Sequence, residues 1–342
     1  MLAKGVSETD HKILTSNASK IFNALPCRGK MVENTLVFGS YFKKWKYASK
    51  IDSWPKMLAP AFLGQFLGCF VAQTNSFWGF LIGISLTITN LLVVVFFNDW
   101  GDQRVDTIKR LMFPRDCSPK TIPDKILSPN ALLFAGVLAA SCMLGISMIA
   151  AWYYARPLLP LFAIFALLLM HSYTFYPFKL NYRGGGELIE MFGIGFVLPW
   201  LNSYAQSGVI WHNSYWLLLG TCSLALASAL ASGISDEESD LSGGKHTFAT
   251  RYGNSTVKQA VAVFLFLSPL FWLVIASRIP NFSVYVLLLP SFFIFYFGIK
   301  MQRLAKLSGS RAFQAQRRYK LNLHKAIWLS KLSFGLGLFL IS

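Results

Sequence analysis

Apolar residues recur along most of this chain in runs near 20 long, separated by polar stretches of two very different lengths. A helical run of that length crosses roughly 30 Å of hydrocarbon. The pattern predicts nine spans, at 57–75, 77–97, 131–151, 157–175, 187–206, 214–232, 257–277, 282–299 and 323–341. Each odd-numbered span joins the next by only a few residues, which forces antiparallel helix hairpins. The other links, 98–130, 176–186, 233–256 and 300–322, are longer, hold most of the polar chemistry and all fall on one side.

Composition agrees with this pattern. Of 342 residues, 54% are hydrophobic and 14% charged, where a soluble domain carries about 25% charged. The expected fold is therefore an all-α membrane protein, a bundle of about nine transmembrane helices in a lipid bilayer. Lys and Arg in short loops stay on the cytoplasmic face. The outer links hold only Arg156 and Arg278, whereas Lys43, Lys44, Lys46, Lys50, Arg104, Lys109, Arg110, Lys245, Arg251, Arg317 and Arg318 lie on the inner side. This places the N-terminus inside, the C-terminus outside and the polar links on the cytoplasmic side of the inner (cytoplasmic) membrane.

Residues 1–50 read as an N-terminal cytoplasmic tail and 51–342 as the nine-helix domain. In the tail, Leu14, Ala18, Ile21 and Leu25 recur at helical spacing, as in an interfacial amphipathic helix; Pro26 and Gly29 argue equally for a mobile segment. Phe42–Tyr47 mixes aromatic and basic residues, as headgroup-level anchors do. No short apolar core precedes a small-residue cleavage site, so no signal peptide is expected. The five cysteines lack CxxC spacing and read as reduced packing residues. The formal charge of +17 is compatible with nucleic acid, anionic lipid or phosphorylated substrates. Membrane context favours the last two over nucleic acid, and nothing calls for an obligate protein partner.

Two inner helix ends are acidic. The first reads Asn98-Asp99-Trp100-Gly101-Asp102-Gln103-Arg104-Val105-Asp106, with Asn98, Asp102 and Asp106 at intervals of four; if the helix continues they share a face. The second reads Ser235-Asp236-Glu237-Glu238-Ser239-Asp240, with Asp236 and Asp240 again four apart. Like carboxylates stacked this way repel, more so in a low dielectric, so something cationic should offset them. Oxygen ligands that leave room for water and phosphate suit Mg²⁺. The neighbouring Arg104, Lys109, Arg110, Lys245 and Arg251 could neutralise a diphosphate.

These residues carry a resemblance. NDWGDQRVD resembles the NDxxDxxxD motif of the UbiA superfamily of intramembrane prenyltransferases, and SDEESDLSGGKHTFATRYG is similar to that family's second motif. Tyr176-Pro177-Phe178-Lys179 and Tyr182-Arg183-Gly184-Gly185-Gly186-Glu187 resemble the 1,4-dihydroxy-2-naphthoate, or menaquinone, branch. Many members begin the second motif with Asn where this chain has Ser232 or Gly233, and Lys50 stands where the family usually has Arg. The resemblance implies a helical bundle with a cleft open laterally to lipid and two Asp motifs at its mouth.

The site expected on these grounds has Asn98, Asp99, Asp102, Asp106, Asp236 and Asp240 around Mg²⁺, with Asp102, Asp106, Asp236 and Asp240 as catalytic acids. Lys50, Asn98, Arg104, Lys109, Arg110, Tyr176, Lys179, Tyr182, Arg183, Lys245 and Arg251 are expected on the substrates. Tyr176, Lys179, Tyr182 and Arg183 serve equally well as helix-register anchors. His171 reads first as an interhelical hydrogen-bonding group, and Glu187 and Glu190 as acids favoured by a helix start. The expected reaction moves a prenyl chain from an isoprenoid diphosphate to a small aromatic acceptor of quinone-precursor type. Its rivals are a non-aromatic acceptor or, in another class, a polytopic transporter, whose acids should sit near the midplane at broken helices.

Overall fold

A computed structural model describes residues 41–342 apart from Cys117, Asn281 and Ser310. The amphipathic pattern at 14–25 lies outside the described residues. Trp45–Ser342 forms one compact unit, and the regular elements among the described residues are all helices. In chain order they are α1 (Tyr41–Ala48), α2 (Pro55–Ala72), α3 (Phe77–Gly101), α4 (Gln103–Met112), α5 (Pro129–Tyr153), α6 (Leu159–Thr174), α7 (Leu180–Arg183) and α8 (Gly186–Phe192). A π-helical turn, Gly193–Val197, leads into α9 (Leu198–Ser207), followed by α10 (Leu218–Ser232), α11 (Glu237–Ser242), α12 (Phe248–Ala276), α13 (Leu288–Ala305) and α14 (Phe313–Leu340).

A helical segment occupies each of the nine predicted spans. Six are long and apolar enough to cross a membrane: Pro55–Ala72, Phe77–Gly101, Pro129–Tyr153, Asn213–Ser235, Phe248–Ala276 and Val284–Ala305. The other three fall short for visible reasons. Helix α6 has 16 residues. The segment predicted at 187–206 is broken into α8, the π turn and α9, and α14 carries Arg317, Arg318, Lys320, Lys325 and Lys331.

Local chemistry starts several helices. Ser76 accepts a hydrogen bond from Gly79 N (3.0 Å) and Ser128 one from Ala131 N (3.2 Å), satisfying amide donors that a helix start otherwise leaves free. Thr247 and Thr250 form a reciprocal capping pair at α12. Farther along α12, Gly253 has φ +76°, so the helix is kinked there.

Helix α2 packs on α9 and α14, α3 on α5, α10 on α12, and α13 on α14. The α2–α9 crossing needs glycine: a Cβ at Gly64 would lie 2.2 Å from Pro199 O. Across the same crossing Gln65 Nε2 donates to Asn202 Oδ1, and Asn202 Nδ2 donates on to Thr87 Oγ1 of α3, each at 2.9 Å. Such buried amides bind helices together where lipid supplies no hydrophobic drive between them. The largest core gathers Leu63, Leu67, Leu224, Trp272, Tyr319 and Phe334 from α2, α10, α12 and α14.

The four long links meet. Lys109 of the first pairs with Asp236 of the third. His246 N of the third donates to Tyr182 O of the second (2.9 Å), and Lys320 of the fourth donates to Ser235 Oγ (2.6 Å). Hairpins with short links opposite long ones gather the long ones at one end of the bundle.

Candidate active site

Asp102 is the C-cap of α3 and the N-cap of α4, with non-helical dihedrals (φ −96°, ψ 7°), so the helix breaks there. The hydrogen-bond ladder nevertheless continues, Asp102 N to Asn98 O at 2.9 Å and Asp106 N to Asp102 O at 2.8 Å. The four-residue spacing thus survives the break. Asp236 similarly caps α11, with Asp240 N on Asp236 O at 2.7 Å.

Each acid of the first cluster meets a lysine from elsewhere in the chain. Asp99 pairs with Lys50 and accepts from Thr121 Oγ1 (2.6 Å). Asp102 pairs with Lys245 (2.9 Å) and accepts from Asn181 Nδ2 (3.2 Å), and Asp106 pairs with Lys120. These three carboxylates are 3%, 6% and 7% exposed. Burial of an unpaired charge is costly, and the lysines offset that cost. The second cluster differs: Asp236, half-buried, pairs with Lys109, while Asp240, 4% exposed, has no ion-pair partner among the described residues.

Electrostatics follow this layout. Burial raises the Asp106 carboxyl, and Lys120 only partly offsets it. Burial works against the ammonium of Lys245, but Asp102, Tyr173 and Asp240 outweigh it and hold it well above the usual lysine range. Asp236 is desolvated yet held well below the usual carboxylate range by Lys109, Lys320 and Lys120. Asp240 is pushed up to about 7 by burial and by the like charges of Asp236 and Asp102.

Beside the first cluster lies a cavity of ≈ 290 Å³ between α2, α3, α6 and the α8–α9 segment. Lys50, Asn98 and Asp99 contribute polar groups, and Leu91, Val94 and Ile194 are among its apolar lining. The π turn forms part of the wall, and such turns recur at functional sites. Asn98 Oδ1 is buried with no hydrogen-bond partner.

No three His, Cys, Asp or Glu side chains among the described residues close on one point as a ready-made metal cage. Mg²⁺ needs no such cage, being held by one or two carboxylates with substrate phosphates and water. The hard carboxylate oxygens and the unpartnered Asn98 Oδ1 fit that donor set.

Not every expected residue comes to the acids. Arg104 is exposed because it lies two residues from both Asp102 and Asp106, across the helix from them. Arg110 turns to Asp124 (2.6 Å). Arg251 donates to Arg183 O (3.3 Å) beside Gly184. Tyr176 is 76% exposed with the Arg183 guanidinium 5.5 Å from its ring, which is the anchor arrangement. Lys179 lies 3.9 Å over the Tyr182 ring. Tyr182 itself reaches the site: Lys245 stands 5.3 Å over its ring, and burial beside Asp102 pushes its hydroxyl up.

His171 makes a ring stack with Phe175 (5.6 Å) and is exposed, in place of the expected interhelical hydrogen bond. Sequence reasoning missed Lys120, Thr121 and Asn181, since none has a fixed spacing to either motif. It also assigned Glu190 to the helix start, whereas Glu190 lines the cavity and pairs with Lys56. The Asp clusters lie at helix ends, and the mid-span π turn Gly193–Val197 itself carries no acid, unlike the transporter expectation.

Residues 57–324 match the UbiA prenyltransferase family. The 1,4-dihydroxy-2-naphthoate octaprenyltransferase of Haemophilus influenzae is 28% identical over 222 residues, 62% of this chain and 70% of that protein. Among solved structures, a UbiA homolog from Archaeoglobus fulgidus bound to DMAPP and Mg²⁺ superposes with a TM-score of 0.65 at 12% identity, covering 87% of this chain and all of that one. A structure described for digeranylgeranylglyceryl phosphate synthase gives a TM-score of 0.53 at 14% identity, covering 87% of this chain and 99% of that one. The chain belongs to the UbiA prenyltransferase family and is a prenyltransferase with similarity to the menaquinone branch.

Proposed function

We propose that this prenyltransferase moves the prenyl group of an isoprenoid diphosphate onto a small aromatic acceptor, with Mg²⁺ at the two Asp clusters. The observation that carries the reading is the cross-pairing of the clusters, Lys245 with Asp102 and Lys109 with Asp236, next to a largely apolar cavity. The naphthoate octaprenyltransferase relative supports an aromatic acceptor, and the DMAPP- and Mg²⁺-bound neighbour supports the donor and the ion.

Asn98, Asp99, Asp102, Asp106, Asp236 and Asp240 would supply the Mg²⁺ ligands, one or two carboxylates to an ion. When bound, it neutralises charge on the diphosphate and helps that group depart. Lys50, Lys109, Lys120 and Lys245 face carboxylates now; with substrate present their ammonium groups share the diphosphate oxygens, whose charge grows as the allylic C–O bond breaks. The cavity lining takes the start of the hydrocarbon tail and keeps water from the allylic cation. The aromatic ring attacks the allylic carbon, and a carboxylate of the clusters takes the proton released.

The reading includes nine membrane crossings with the site on the cytoplasmic side, supported by the loop-charge asymmetry and by the gathering of the long links. A single cysteine placed at exposed position 104 in a cysteine-free background should label from the cytoplasmic face; labelling only from outside would reverse the topology. The function is tested by incubating purified protein with Mg²⁺, a panel of prenyl diphosphates and hydroxylated aromatic acceptors, and reading products by mass. Mg²⁺-dependent prenyl adducts are expected. Adducts only on non-aromatic acceptors would overturn the acceptor assignment.

A further inference from the structure

The cavity has a second charged corner that belongs to neither Asp cluster. Lys56, the second residue of α2, and Glu190, the fifth of α8, both line it and form an ion pair at 2.5 Å. Their side chains keep 27% and 18% exposure, so both remain reachable.

The two glutamates of α8 have divided tasks. Glu187 accepts from Phe248 N at 2.7 Å and ties α8 to the start of α12. That accounts for the acid expected at the helix start. Glu190 turns into the cavity, where holding a charge beside apolar walls is costly unless the partners are well bonded. The pair is a single contact between Lys56 Nζ and Glu190 Oε1, and neither side chain makes another hydrogen bond among the described residues. The ammonium therefore retains donors and the carboxylate retains lone pairs. A purely structural ion pair has no need of a cavity wall or of this spare bonding capacity.

An ammonium beside a carboxylate offers one cationic donor and one anionic acceptor. The molecule that satisfies both at once carries an anionic acceptor next to a hydroxyl donor. Tyr173, which also lines the cavity, and apolar Leu91, Val94 and Ile194 suit a flat ring between them. A diphosphate fits this corner poorly, because Glu190 repels it, whereas four lysines meet it at the Asp clusters.

We propose that Lys56 and Glu190 form the specificity-determining pair for the acceptor and select a hydroxylated aromatic acid. Lys56 binds the acid's carboxylate, and Glu190 accepts a hydrogen bond from a neighbouring ring hydroxyl. That bond also raises electron density on the ring, which favours its attack on the allylic carbon. The inference rests on the prenyl-transfer reading above and adds to it the chemistry by which the acceptor is chosen.

The test uses the full-length purified protein with geranyl diphosphate, Mg²⁺ and two acceptors, 1,4-dihydroxy-2-naphthoate and 1,4-dihydroxynaphthalene, which lacks the acid. Wild type should prefer the acid by about 10- to 100-fold in kcat/KM, the range of one hydrogen bond to a charged group. Lys56→Gln should abolish that preference through the acceptor KM, leaving the KM for geranyl diphosphate within about twofold, and Lys56→Arg should restore part of it. Glu190→Gln should raise the KM of both acceptors, since both carry hydroxyls. A rise in the geranyl diphosphate KM of Lys56→Gln, or a uniform fall in kcat with the acid preference intact, would overturn the assignment. Thermal melts in detergent check that each variant folds. Should one not fold, the wild-type preference still decides, because a ratio near one overturns the proposal. If wild type binds geranyl diphosphate with Mg²⁺ but prenylates neither compound, the acceptor assignment fails alone. If it binds no geranyl diphosphate, the underlying reading fails as well.

Discussion

The two acidic helix ends share a four-residue spacing and are held in different ways. The end of α3 and start of α4 bury three carboxylates and give each a lysine drawn from a different part of the chain: Lys50 before α2, Lys120 in the link before α5, and Lys245 before α12. Around α11, Asp236 keeps a third of its side chain exposed on Lys109, and Asp240 is buried without an ion-pair partner among the described residues. The first cluster is therefore tied to the tertiary fold, and losing one partner strands a buried charge. The second tolerates such losses better, because Asp236 is only half-buried and Lys320 and Lys120 offset its charge beside Lys109.

The sharpest way to break this contrast is Lys245→Met. It leaves Asp102 buried without its cation and should cost about 3 kcal/mol or more, the range for removing one partner of a buried pair. The drop should appear in thermal melts in detergent and be partly recovered by adding Asp102→Asn. Thr121→Val removes the hydroxyl donated to Asp99 and should cost about 1–3 kcal/mol, as for a buried acceptor deprived of its donor. On the other cluster, Lys109→Met should cost less than Lys245→Met, since Lys320 and Lys120 still offset the charge of Asp236 and a third of its side chain is exposed. A melt lowered as far by Lys109→Met as by Lys245→Met would contradict the contrast. Arg104→Ala should change stability by less than about 0.5 kcal/mol and leave turnover intact, as for a surface position away from any network.

Much of this layout was legible in the sequence because it rests on period and spacing. Runs near 20 residues long locate a helical segment for each predicted span, and alternating link lengths bring four polar links to one end. The i, i+4 acids point the same way because the hydrogen-bond ladder survives the break at Asp102. What was not legible depends on tertiary approach. Lys120 and Thr121 lie in an irregular link, and only the folded chain brings them to Asp106 and Asp99. Arg104 shows the reverse error: adjacency in sequence suggested a site residue, while helix geometry turns it away. Glu190 was misread for a similar reason, since a helix start is a local cue and the cavity is not. The break at Gly193–Val197 was missed because a π turn leaves the apolar pattern almost unchanged.

The most direct test of the central claim, that both acidic ends serve one Mg²⁺–diphosphate site, is a Mg²⁺ titration of geranyl diphosphate binding. It compares wild type with Asp102→Asn, Asp236→Asn and the double variant. Wild-type affinity should rise with Mg²⁺, and each single variant should lose about 10-fold or more of that gain, because a carboxylate that holds the ion becomes a neutral amide. The double variant should be scarcely worse than the poorer single one, as groups acting as a unit are not additive. If both single variants keep the full Mg²⁺-dependent rise, the acids do not form that site.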